Sequence, residues 1–91
     1  MTEFLIELYV PRADAAGADD AARRFAGAAA DLTAGGRSIE LVRSIFVPAD
    51  ETCFLLVSAT SADDVRETAR RASVAFDHLG EASTNHHAIS T

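Results

Sequence analysis

Few residues of this 91-residue chain have the type and setting to do chemistry. Arg43 interrupts the apolar run Ser-Ile-Glu-Leu-Val-Arg-Ser-Ile-Phe-Val at 38–47, and Glu7 sits in Glu-Phe-Leu-Ile-Glu-Leu-Tyr-Val at 3–10, two residues before Tyr9. A charge taken out of water needs a partner. If Glu7 and Arg43 face the same way, they form either an ion pair or, with Tyr9, the polar lining of a ligand pocket. His78, His86 and His87 are the candidate metal ligands, because imidazole suits nickel, copper, iron and zinc. The adjacent His86 and His87 would point to opposite sides of an extended chain. A site would therefore use one of them with His78, a carboxylate or a residue of a second subunit. The spacing matches no defined zinc motif.

The other reactive types lack the company they need, and no catalytic residue is assigned. Cys53 opens an apolar run, where a lone cysteine behaves as a small hydrophobe. Ser44 and Ser58 lie in extended segments and not at a strand-turn-helix elbow. Gly35-Gly36-Arg37 lacks the further glycines and the Lys-Ser/Thr of a phosphate loop. The acid pairs Asp19-Asp20, Asp50-Glu51 and Asp63-Asp64 fall where helix starts and turns recruit them.

The elements that would position these residues follow from hydrophobic period. Residues 3–10 alternate: Phe4, Ile6, Leu8 and Val10 on one side, Glu3, Leu5, Glu7 and Tyr9 on the other, which is a strand ended by Pro11. Over 14–34, Ala18, Ala22, Phe25, Ala29 and Leu32 recur at helical spacing. Asp19 precedes Arg23, and Asp20 precedes Arg24, by four residues. A helix is expected over 14–34, stopped by Gly35-Gly36, with Gly17 as a candidate for its start. Residues 38–47 and 53–59 read as two strands joined by the turn chemistry of Pro48-Ala49-Asp50-Glu51-Thr52. The second of these strands is apolar on both faces and is expected in mid-sheet, covered on both sides.

Ser61 is expected to cap a second helix, with Asp64 as a capping-box acid and Val65, Ala69 and Ala72 as its buried stripe. A weaker strand follows over 76–83. The order strand, helix, strand, strand, helix, strand, with one narrow apolar stripe per helix, predicts an α+β, ferredoxin-like βαββαβ fold. It has a four-stranded antiparallel sheet and two helices on one face, over residues 1–83, with a C-terminal tail at 84–91. No third helix exists to cover the second face, which carries Leu5 and Tyr9. The expected cover is a second copy of the same sheet, giving a homodimer of the dimeric α/β-barrel type.

Composition narrows the partners. The net charge is −6, and all eight basic residues are Arg. That argues against a nucleic-acid backbone as partner. No apolar run approaches the ~20 residues that span a bilayer, and the start carries Glu3 where a secretory leader would carry positive charge. One cysteine cannot form an internal disulfide, so a reducing cytoplasm is expected.

The stretch Arg43-Ser44-Ile45-Phe46-Val47-Pro48-Ala49-Asp50-Glu51-Thr52-Cys53-Phe54 resembles the Arg/His-Ser…Pro-x-Asp-Glu-x-Cys-Phe segment of a family of small bacterial ferredoxin-like proteins of largely unknown function. That family includes a Streptomyces nickel-binding protein. The likeness extends through 3–10 and 61–72. It implies a homodimer and the binding of nickel or another divalent transition metal; many members have His where this chain has Arg43. The leading expectation is a cytoplasmic homodimer that binds a small ligand or a metal ion and performs no catalysis. The alternative is a cofactor-free enzyme of isomerase or monooxygenase type, working in an open-face cavity with Tyr9, Glu7 or Arg43.

Overall fold

A computed structural model of the chain describes residues 1–83; the expected tail, with His86 and His87, lies outside them. The element order is β1 (Thr2–Tyr9), α1 (Ala15–Ala34), β2 (Ile39–Val47), a 3-10 turn (Pro48–Asp50), β3 (Thr52–Ala59), α2 (Ala62–Ala72) and β4 (His78–Ala82). The strands form one antiparallel sheet in the order β2-β3-β1-β4, so the fold is ferredoxin-like α+β. Among the described residues, no helix is long and apolar enough to cross a membrane.

One face of the sheet carries the core. Phe4, Ile6 and Leu8 of β1 and Cys53, Leu55, Val57 and Ala59 of β3 are buried against both helices. The predicted stripe of α1 is buried in full, widened by Ala21 and Ala28. Alanines on that face let the helix lie close to the sheet and to α2, so Phe25 alone fills the centre with its ring wholly buried.

The helix ends show where local chemistry decides. Asp14, not Gly17, starts α1: its carboxylate accepts from the Gly17 N–H at 2.9 Å, which makes Gly17 the third helical residue. The expected pairs on its exposed side form, Arg23–Asp19 at 2.7 Å and Arg24–Asp20 at 2.9 Å. Arg24 also donates to the carbonyls of Ala72 and Ser73, satisfying orphan acceptors at the end of α2. After α1, the Thr33 hydroxyl accepts from the Ile39 N–H and donates to the Ile39 carbonyl, tying the helix end to the start of β2.

Ser61 caps α2 as predicted, its hydroxyl accepting from the Asp64 N–H at 3.2 Å. The capping box is only half made, because the Asp64 carboxylate turns to Arg37 at 3.3 Å. Ser61→Ala should therefore cost about 1 kcal/mol, read as a lower urea midpoint with an unchanged slope. An unchanged midpoint would show that the cap contributes nothing. At the other end Ser73 takes a left-handed conformation (φ 55°), and the Val74 N–H returns to the Ala69 carbonyl at 2.9 Å, a Schellman closure. The last strand is shorter than expected. Asp77 starts it by donating its N–H to the Glu7 carbonyl while its carboxylate accepts from the Tyr9 N–H.

One irregularity reorients a candidate residue. Ile39 and Leu41 pair with Ala59 and Val57, but the next partner of β3, Leu56, is opposite Arg43. Val42 is thus the extra residue of a β-bulge and is left exposed. Strict alternation from Ile39 would have aimed Arg43 at the helices. The bulge turns Arg43, Ile45 and Val47 to the open face, and Ser44 and Phe46 to the helix side.

Candidate functional site

The open face can be read as rows across the sheet. Arg43, Leu56, Leu5 and Gly80 form one row; Ile45, Phe54, Glu7 and His78 form the next. Val47, Thr52 and Tyr9 lie beyond them at one end, and Glu40, Ser58, Glu3 and Ala82 at the other. Leu5, Phe54 and Leu56 are half-buried within the single chain, and Ile45 stands 48% exposed and Tyr9 62% exposed. The middle of the face is therefore filled by apolar side chains. The third strand is interior, as expected, but within one chain its outer side has no covering layer.

All the candidate residues within the described part reach this face. Glu7 and His78 are direct cross-strand partners on β1 and β4. A Cβ added to Gly80 would come within 3.2 Å of His78 Nε2, so the imidazole lies along the sheet over Gly80, and glycine makes the room. Arg43 is set apart. Two strand spacings and one step along the sheet separate its backbone from that of Glu7, about 12 Å. Among the described residues neither side chain makes an ion pair. The intrachain Glu7–Arg43 pair that the sequence left open does not form.

Tyr9 leads to Glu51, which the sequence places only in a turn, and to Asp77, which no pattern in the sequence marks. Its hydroxyl donates to Glu51 Oε2 at 3.4 Å, the same oxygen that accepts from the Arg12 N–H at 3.0 Å. Glu51 sits in a left-handed conformation (φ 49°) at the end of the 3-10 turn, and its carbonyl accepts from the Val10 N–H. With Glu7, Asp50, Asp77 and His78 these residues rim a shallow cleft of about 210 Å³ at the sheet end. Glu51 and Asp77 serve the backbone there. Their roles depend on partners some 40 and 70 residues away, so no local signal marks them.

Perturbed acidities lie elsewhere. Burial pushes the Cys53 thiol up, which suits the small hydrophobe expected and not a nucleophile. Glu67 on α2 is held down at about 2 by hydrogen bonds from Arg70 and then Arg71, an exposed surface network. A larger groove of about 610 Å³ runs between α1 and β2, lined by Ala26, Ala29, Ala30, Ile39 and Leu41 and poor in polar groups.

For a divalent metal, the described residues offer Glu7 and His78 as neighbouring donors. Among the described residues, no three of His, Cys, Asp or Glu converge closely enough to hold an ion. A complete site would need further donors from a second chain or from His86 and His87. Compared with known proteins, the chain matches no family model, no curated protein and no solved structure.

Proposed function

We propose that the chain is a cytoplasmic homodimeric binding protein that closes its open sheet face on a second copy and holds a small ligand or metal ion at the seam. The observation that carries this is the apolar filling of the face by Leu5, Ile45, Phe54 and Leu56, uncovered in the single chain. The sheet spans about 19 Å by 26 Å, or about 500 Å² in projection. A side-chain surface exposes more than its projection, which brings it near the ~600 Å² per partner at the lower end of stable interfaces. A cofactor-free enzyme would need a hollow there with convergent polar groups. The polar groups Glu7, Tyr9, Arg43 and His78 instead surround an apolar centre, which favours binding at the rim over catalysis within.

Nickel is the specific ligand proposed, supported by the likeness of the 43–54 segment and by the Glu7–His78 pair. Native mass spectrometry of untagged protein with metal analysis tests both parts. A mass of twice 9.6 kDa with bound metal is expected; a 9.6 kDa species at micromolar concentration would overturn the dimer. Imidazole must be neutral to ligate, so nickel affinity should fall at least about tenfold from about pH 7.5 to about pH 5.5. It should also fall in a variant combining His78→Ala, His86→Ala and His87→Ala. Affinity unchanged by both would remove histidine ligation and with it the nickel reading.

A further inference from the structure

The open face carries a charge pattern that is complementary to itself. Three strands contribute two residues each to a block of this face: Arg43 and Ile45 from β2, Leu56 and Phe54 from β3, Leu5 and Glu7 from β1. In this block the opposite charges occupy two diagonal corners, and the other four positions are apolar. Sheets that pack face to face as a symmetric pair are related by a two-fold axis lying in the interface, so each residue meets its reflection across that axis. The line bisecting the Arg43–Glu7 diagonal crosses β3 between Leu56 and Phe54. Leu5 and Ile45 then lie within about 2 Å of it, as strand and residue spacings place them.

We infer that this line is the two-fold axis of the homodimer, with Arg43 of each protomer paired to the partner's Glu7 on either side of an apolar strip. The inference rests on the dimer proposed above and specifies its geometry. Arg43 and Glu7 make no ion pair with each other or with another described residue of their own chain, yet both flank the surface that the dimer would dry. A charge there must be matched, and a second copy supplies both matches at once. Within this six-residue block the same axis carries two pairs, whereas the other axes of the block set Arg43 and Glu7 of each protomer against apolar positions. The pair thus selects the register, while Leu5, Ile45, Phe54 and Leu56 supply the attraction. The bulge at Val42 is what makes this possible, because it brings Arg43 to this face.

Charge reversal tests the pairing. Glu7→Arg alone faces arginine with arginine across the axis, and Arg43→Glu alone faces carboxylate with carboxylate. Each should weaken self-association by about a hundredfold or more, read by sedimentation equilibrium. An equimolar mixture of the two chains restores both pairs and should form a heterodimer, resolved from either homodimer by native mass spectrometry. Circular dichroism of each variant should match the natural chain, since both side chains lie on the sheet's outer face. Variants that dimerise like the natural chain, or that stay separate when mixed, would overturn the pairing. A natural chain that is itself monomeric would overturn the dimer reading instead.

Discussion

Leu5→Asp is expected to convert the proposed dimer to a monomer. Leu5 stands in the central strand of the open face, opposite Leu56 on one side and Gly80 on the other. On the proposed axis it lies close to its own copy. An aspartate there would bury two like carboxylates close together, with each Arg43 already matched by a Glu7, and their desolvation and repulsion are each worth several kcal/mol. The dissociation constant of the dimer should rise by at least about a thousandfold. Sedimentation velocity at micromolar concentration should show a single species of 9.6 kDa. The fold should survive, because the substituted side chain points away from the core, where Ile6 is wholly buried beside it. A variant that remains dimeric would place the interface elsewhere.

Phe25→Ala should produce the largest loss of stability of any single change considered. Phe25 is the one aromatic ring of α1, is 0% exposed, and packs among alanines that cannot move in to fill its place. Truncating a buried Phe costs about 3–5 kcal/mol, from lost transfer energy and the cavity left behind. A chain of this size has about 5–15 kcal/mol in all. Thermal unfolding should shift down by roughly 12–40 °C. A shift of only a few degrees would mean that α1 does not close the core. Comparing Phe25→Ala with Leu5→Asp separates the two faces of the sheet: the first acts on folding at any concentration, the second on association.

Much of the architecture was legible because it is periodic. The alternation in 3–10 assigns the inward and outward residues of β1 from Glu3 through Tyr9, and the structure agrees at each of them. The stripe of α1, the Ser61 cap and the buried stripe of α2 were equally local, resting on residues three or four apart. The errors lay at the ends. Gly17 drew attention as a helix start, but Asp14 had the side chain to satisfy an orphan N–H. Asp64 looked like the second half of a capping box, but Arg37, outside the helix, competes for its carboxylate.

The candidate site divides in the same way. Residue types and the face of Glu7 and Tyr9 came from pattern alone, as did the apolar partners that an uncovered sheet must present. The strand and helix periods, the six-element order and hence the two-layer fold follow from side-chain spacing along single segments. The bulge at Val42 that turns Arg43 outward, the placing of His78 beside Glu7, and the hold of Glu51 and Asp77 on the Tyr9 end of β1 emerge only in the folded chain. Those facts depend on the register between strands distant in sequence. Register is set when the inner faces of all four strands pack on the helices at once, and a one-residue slip in β2 alone reverses which of its side chains reach the site.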